Sequence, residues 1–159
     1  MGYIEDLREW VGHRPLIFIG AVVVIEDAEG RILLQRRRFP DGTWGLPGGL
    51  MELAESVEGT ARREVLEETG LTLGELQLLG VFSEPELIRV PNGDQFYVVL
   101  IGYRTSEYAG ILTNDDTESH ECRFISPQEL PEPVVRSHAR VLERYMENLG
   151  DGCLTDEPQ

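Results

Sequence analysis

Hydrophobic and polar residues alternate along the chain with two different periods, and these periods predict a mixture of helices and strands. Ile4, Leu7 and Val11 recur at helical spacing and predict a short amphipathic helix over residues 3–11. Elsewhere β-branched and other apolar residues form short runs that are bounded by turn residues and are typical of buried strands. The predicted strands are 16–25, 31–38, 76–82, 95–103 and 121–125.

Two further helices are predicted, one in the centre of the sequence and one near its end. The first spans residues 56–69, with Ser56 at the N-cap position and Gly70 where a helix end favours a left-handed residue. The second spans residues 133–149 and places several apolar side chains near one face. Residues 150–159, which follow it, are polar and are expected to fray.

Length and charge narrow the class of protein. The 159 residues include 29 acidic and 14 basic side chains, for a formal net charge of −15. That length suits one domain, and the sequence contains no repeat or linker, so we expect residues 1–159 to form a single α+β domain. A pI of about 4.5 argues against a nucleic-acid partner, which needs a basic face. Every basic residue is arginine, and the absence of lysine excludes a P-loop, a Schiff-base enzyme and a lysine general base.

The sequence also predicts a compartment. The longest apolar run, residues 15–25, is shorter than the roughly 20 residues that span a bilayer, so we expect no membrane partner. The first residues are too charged for a secretory signal. Cys122 and Cys153 form neither a disulfide framework nor a zinc motif. These features predict a cytoplasmic protein.

Three glutamates crowd one side of the predicted central helix. At 100° per residue, Glu64, Glu67 and Glu68 share an arc of roughly 100°. Like charges at these spacings destabilise a helix, and negative charge near its C-terminus opposes the helix dipole. A hard divalent cation relieves both problems, because clustered carboxylates are the ligands that Mg²⁺ or Mn²⁺ prefers. The alternative is a solvated acidic face with Arg62 and Arg63 as its salt-bridge partners.

The complete pattern around these glutamates, which runs from Gly49 and Glu55 through Arg63 to Gly70 and Leu71, resembles the signature of the Nudix hydrolase family. From average residue usage, a random match has a chance on the order of 10⁻⁹ per start position. The preceding segment, residues 44–49, resembles the usual lead-in of the family, and residues 118–131 resemble the segment after its last core strand. The likeness therefore spans about residues 16–132. The matching positions are Gly49, Glu55, Arg63, Glu64, Val65, Glu67, Glu68, Gly70 and Leu71.

This resemblance implies a fold, a reaction and a set of metal ligands. The implied fold is an α/β/α sandwich, with a mixed β-sheet between helices. The implied reaction is attack of water on a phosphorus of a nucleoside diphosphate linked to another moiety. The implied ligands of Mg²⁺ or Mn²⁺ are Glu64, Glu67 and Glu68, together with the carbonyl of Gly49. Glu55 is expected to support Arg63 and the loop, or to contact a second metal through water.

The general base and the substrate contacts stay open at this stage. The resemblance offers Glu64, Glu118 or Glu121 as the base, and for the last two a plain surface role is an equal alternative.

Three consecutive arginines follow the second predicted strand. In a strand Arg36 and Arg38 share one face and Arg37 points the other way. Arg36 and Arg38 are the candidate phosphate contacts, because arginine binds phosphate oxygens in pairs. The alternative is a charged edge strand that prevents aggregation. Phe39 is a candidate for stacking on a base, as are Phe96 and Tyr97, although packing within the protein would explain each of them.

The resemblance favours some substrates over others. Pro85 lies fifteen residues after Gly70, near where the ADP-ribose subgroup of the family places a proline, so ADP-ribose or a nucleotide sugar is slightly favoured. A nucleoside triphosphate comes second. The alternative function is a catalytically silent Nudix domain that senses a nucleotide or binds a protein. A small nucleotide derivative is the expected partner, and the N-terminal helix with Trp10 is a candidate interface for a homodimer.

Overall fold

The computed structural model describes residues 2–151, and its secondary structure agrees with most of the predicted elements. Residues 152–159, which include Cys153 and most of the predicted frayed tail, lie outside the described residues. The helices are α1 Tyr3–Val11, α2 Val57–Thr69 and α3 Arg136–Asp151, with a short 3₁₀ turn at Pro127–Glu129. The strands are β1 Leu16–Ile25, β2 Ile32–Arg37, β3 Trp44–Gly45, β4 Gly48–Leu50, β5 Thr72–Leu73, β6 Gln77–Ser83, β7 Ile88–Arg89, β8 Gln95–Thr105, β9 Tyr108–Ala109 and β10 Ser119–Ile125.

The central helix α2 begins and ends where its capping residues predict. The backbone N–H of Gly59 donates to Oγ of Ser56 at 3.0 Å, which caps the first turn. Gly70 ends the helix with φ of 73° and donates its N–H to the carbonyl of Leu66. Local sequence therefore determines both ends of the helix that carries the glutamates.

The bounds of α3 differ from the prediction at both ends. The helix begins at Arg136 rather than at residue 133, because residues 133–135 run in an extended conformation beside β3. Trp44 donates its N–H to the carbonyl of Pro133 and accepts from the N–H of Val135. At the other end, α3 continues to Asp151, so the first two residues of the predicted frayed tail are helical.

A mixed sheet forms the middle layer of the molecule. Its strand order is β4-β1-β8-β6 with β7 beside β8, and β1 and β8 run parallel from Leu16↔Phe96 to Ile25↔Thr105. The other pairings in this sheet are antiparallel. Strands β10-β2-β3 form a second sheet, and β5 pairs with β9.

Side chains of β1 are buried on both faces of the sheet, which explains its continuous apolar sequence. Val22 and Val24 pack with Val141 and Tyr145 of α3. Ala21, Val23 and Ile25 face the opposite way and pack with Ala61 and Val65 of α2. The sheet thus lies between helices, and the expected α/β/α arrangement of the α+β class is confirmed.

Helix α1 is attached at the edge of this sandwich. The N–H of Tyr3 donates to Glu52 at 2.7 Å, and the guanidinium of Arg8 donates to the carbonyl of Gln95 at 2.8 Å. Trp10, on its outer side, is exposed. Within residues 2–151, no helix is both long and apolar enough to cross a membrane.

Candidate active site

The glutamates of α2 face the short strand β4, which pairs with β1. The carboxylate of Glu64 rests directly against the backbone of Gly49. A Cβ at position 49 would lie 2.4 Å from Cδ of Glu64, so only glycine permits this approach. Gly49 and Glu64, which are separated in the sequence, therefore bring the β4 backbone and α2 into direct contact.

Arg63 connects three of the acidic side chains. Its guanidinium donates to both carboxylate oxygens of Glu55, to Oε1 of Glu64 at 2.7 Å and to Oε2 of Glu67 at 3.2 Å. It also donates to the carbonyl of Leu50 at 3.2 Å. The hydrogen bonds from Arg63 lower the pKa of Glu55 to about 2, and the same bonds raise the pKa of Arg63. Arg63 therefore stays charged and holds the β4 loop and two motif glutamates together.

Glu68 is a buried carboxylate, with 4% of its surface exposed. Its Oε2 accepts two hydrogen bonds of 2.9 Å, one from the backbone N–H of Gly48 and one from the side-chain amide of Gln35. Burial, together with the charges of Glu118 and Glu64, raises the pKa of Glu68 to about 8 although these bonds lower it. Burial likewise raises the pKa of Glu64. The site thus concentrates negative charge in a place of low solvation.

These carboxylates do not yet converge on a single point. Within residues 2–151, no group of three or more His, Cys, Asp and Glu side chains is arranged to hold a metal ion. Glu64 and Glu67 both accept hydrogen bonds from Arg63, which holds their carboxylates at that guanidinium. The donor chemistry nevertheless fits a hard divalent cation, since the available donors are carboxylate oxygens, the ligands that Mg²⁺ and Mn²⁺ prefer.

The two glutamates outside the motif differ in their placement. Glu118 is exposed, but its charge acts on both Glu64 and Glu68. Its backbone carbonyl accepts a 2.9 Å hydrogen bond from the N–H of Arg38. Glu121 lies on β10 opposite Arg36 of β2. Of the two, Glu118 is the one with a described electrostatic effect on the motif glutamates.

A cavity of about 230 Å³ is lined by Gly48 and Gly49 of β4, the strand that Glu64 of α2 contacts. Phe39 and Phe96, two of the three candidates for stacking on a base, line it together with Arg37 and His138, whereas Tyr97 does not. Arg36 and Arg38 are absent from this lining. The side chain of Arg38 instead donates to the carbonyl of Asp116 in the loop before β10.

Arg37 lines the cavity, although the sequence favoured Arg36 and Arg38 as the phosphate contacts. The alternation rule requires a continuous strand, but β2 ends at Arg37, so Arg38 no longer follows the strand geometry. Nε of Arg37 donates to the carbonyl of Phe39 at 3.2 Å, which turns the guanidinium toward the cavity wall. The turn signal Pro40–Gly42 directly after the arginines was the available indication that the strand stops there.

A second cavity of about 300 Å³ continues from the first. The two share Phe39, Pro40 and Ile88 in their linings. The second extends to Glu84 and Glu86 beside the turn that contains Pro85. The cleft that begins at the acidic helix is therefore longer than one nucleobase requires.

Comparisons with known proteins agree on the family. A model of the NUDIX domain matches residues 17–145. An ADP-ribose pyrophosphatase of Methanocaldococcus jannaschii is 34% identical over 124 residues, which are 77% of this chain and 69% of that relative. A putative 8-oxo-dGTP diphosphatase of Bacillus subtilis is 28% identical over 84% of this chain and 83% of its own length. The crystal structure of a MutT NUDIX hydrolase from Burkholderia pseudomallei superposes with a TM-score of 0.71 at 29% identity, covering 81% of this chain and 98% of that one. With the motif and the sandwich fold already in place, these matches show that the chain belongs to the Nudix family.

Proposed function

We propose that this protein is a metal-dependent pyrophosphohydrolase that cleaves the diphosphate of a nucleoside diphosphate linked to another moiety. One observation carries the proposal, namely that Gly49 of β4 both lines the apolar cavity and lies against Glu64 of the acidic helix. A nucleoside that occupies the cavity would therefore have its phosphates beside Glu64. Arg37, in the wall of the same cavity, is placed to donate to a phosphate oxygen.

The acidic charge of the site makes a cation necessary for this substrate. A diphosphate would be repelled by a chain of net charge −15, and most strongly by the glutamates of α2. Glu64, Glu67 and Glu68, with the carbonyl of Gly49, would hold Mg²⁺ or Mn²⁺. When bound, such an ion neutralises phosphate charge and lowers the pKa of a coordinated water molecule.

The chain itself supplies the remaining roles. Arg63 orients Glu64 and Glu67 through its hydrogen bonds, and Glu55 fixes Arg63. A general base must accept the proton of the attacking water, and Glu64, Glu118 and Glu121 are the candidates. Because the charge of Glu118 already acts on Glu64 and Glu68, Glu118 is favoured over Glu121.

ADP-ribose or a nucleotide sugar is the favoured substrate class. The continuous pair of cavities supports this choice, because a substrate with groups at both ends of its diphosphate needs more room than a base alone. The relative from Methanocaldococcus jannaschii, an ADP-ribose pyrophosphatase by name, points the same way. A nucleoside triphosphate is the second candidate, supported by the Bacillus subtilis relative named as a putative 8-oxo-dGTP diphosphatase.

The test is hydrolysis of a panel that contains ADP-ribose, nucleotide sugars, dinucleoside polyphosphates, and canonical and oxidised nucleoside triphosphates. Each compound is assayed with Mg²⁺, with Mn²⁺ and with chelator. Glu67→Gln is the loss-of-function variant. Glu58→Gln is its matched control, because Glu58 lies exposed in the first turn of the same helix and makes no bond to Arg63.

The expected result is metal-dependent cleavage that Glu67→Gln abolishes and Glu58→Gln retains, with ADP-ribose or a nucleotide sugar giving the highest kcat/KM. Highest kcat/KM for a triphosphate would overturn the substrate class but not the reaction. Tight nucleotide binding with no turnover of any compound would overturn the reaction and identify a silent binding module instead.

A further inference from the structure

Gln35 is a polar residue in a buried stretch of β2. Residues 32–35 are all buried, and Gln35 has only 2% of its surface exposed. A buried amide costs free energy unless it forms hydrogen bonds. The partner of the Gln35 amide nitrogen is Oε2 of Glu68 on α2, at 2.9 Å. The burial of Gln35 is therefore tied to one motif glutamate.

Both hydrogen bonds to Glu68 reach the same oxygen. The N–H of Gly48 approaches Oε2 from β4, and the amide of Gln35 approaches it from β2. Among the described residues, Oε1 of Glu68 accepts no hydrogen bond. The carboxylate of Glu68 is thus fixed through Oε2, and Oε1 is left without a hydrogen-bond donor among the described residues.

We infer that Gln35 is a positioning residue for the divalent cation, because its amide fixes Glu68 so that Oε1 is free to bind the ion. The inference rests on the proposed function and extends it to a residue outside the family motif. A hydrogen bond to a ligating group sets the orientation of that group, and its loss typically weakens metal binding about 10- to 100-fold. Without Gln35, only the Gly48 N–H holds Glu68, and the carboxylate can rotate about that single bond.

The neighbouring residue Leu34 provides a matched control. Leu34 is also fully buried in β2, but its side chain faces the α3 side of the molecule, away from Glu68. Gln35→Met retains length and volume while it removes the donor, and Leu34→Met makes a comparably small change in the same strand. A loss caused by disturbed packing of β2 appears in both variants, whereas a loss of positioning appears only in Gln35→Met.

The primary measurement is binding of Mn²⁺ to the substrate-free protein, followed by the paramagnetic resonance signal of free Mn²⁺. We expect Gln35→Met to raise the Kd for Mn²⁺ at least tenfold and Leu34→Met to leave it within twofold. Gln35→Asn, which keeps the amide but shortens its reach by one methylene group, should also weaken binding. Near-ultraviolet circular dichroism establishes that each variant is folded.

A kinetic readout separates positioning from a general structural role. With the best substrate of the panel, saturating Mn²⁺ should restore the kcat of Gln35→Met to within about threefold of wild type, and KM for the nucleotide should not change. A structural defect would not be reversed by added metal.

The outcomes are distinct from those of the proposed function. An unchanged Kd for Mn²⁺ in folded Gln35→Met, or an equal loss in Leu34→Met, overturns the role of Gln35 alone. Wild-type protein that binds Mn²⁺ but cleaves nothing overturns the enzyme and leaves Gln35 to be decided by the binding data. Wild-type protein that binds no Mn²⁺ overturns both.

Discussion

His138 couples the stability of this protein to pH through a buried, uncharged ring. It lies in the first turn of α3 with 6% of its surface exposed, and its Nδ1 accepts a 3.0 Å hydrogen bond from the N–H of Leu46. Burial, with a smaller contribution from the nearby charge of Arg37, lowers the pKa of His138 from 6.5 to about 3. The folded protein therefore keeps this ring neutral at a pH where the unfolded chain protonates it.

The sign and size of the effect follow from this difference. Because the folded pKa lies below the unfolded pKa, the contribution of His138 to stability is complete above pH 6.5 and declines as the pH falls toward 3. Each pH unit in that window costs about 1.4 kcal/mol. Between pH 7 and pH 5, proton uptake by this one side chain in the unfolded state lowers the free energy of unfolding by about 2 kcal/mol.

Urea denaturation of wild type and His138→Gln at both pH values measures this contribution. The glutamine carbonyl can accept from the N–H of Leu46, and it does not titrate. On going from pH 7 to pH 5, wild type should lose about 2 kcal/mol more than the variant. Other titrating groups contribute to both proteins and cancel in the comparison. An equal loss in the two proteins would refute the assignment of a neutral buried ring.

Three further substitutions test the placement of site residues. In steady-state kinetics, Arg37→Gln should raise KM for the nucleotide about tenfold, because a charged phosphate contact is worth about 1.4 kcal/mol. Arg36→Gln, which changes a residue outside the cavity lining, should leave KM within about twofold. Equal effects of the two substitutions would contradict the placement of Arg37. Gly49→Ala would set a Cβ 2.4 Å from Cδ of Glu64 and should lower kcat/KM about 100-fold in a chain that still folds. A loss below tenfold would mean that the Glu64 side chain can move aside without loss of function. Glu55→Gln should lower the free energy of unfolding, measured by chemical denaturation, by about 2 kcal/mol at pH 7. Because the pKa of Glu55 is held at about 2, this difference should persist above pH 4.5 and shrink as the pH falls toward 2. A difference that does not change with pH would contradict the ion pair.

The sequence predicts the long elements because each is stabilised by its own periodic pattern. Strand β1 is apolar throughout because both of its faces are covered, and α2 is bounded by a side-chain cap and a left-handed glycine. Short strands such as β3 and β5 have two residues each, too few for any period to be visible. They form because a neighbouring strand offers backbone hydrogen bonds, and that neighbour is distant in the sequence. The start of α3 was misplaced for the same reason, since residues 133–135 pair with β3 rather than continuing the helix.

In the candidate site, too, the local sequence predicts some residues, and others depend on contacts between distant parts of the chain. The family motif identifies Glu64, Glu67 and Glu68 by spacing alone, but the residues that orient them depend on tertiary contacts. Gln35 lies 33 positions before Glu68, and nothing in the motif points to it. Its position in the strand carries a signal all the same, because Gln35 shares a face with the fully buried Leu33. An amide on an inward position must find a polar partner, and the acidic helix packs on that face. Buried polar residues in the strand opposite a motif are therefore the places where a sequence should be searched for the groups that position its ligands.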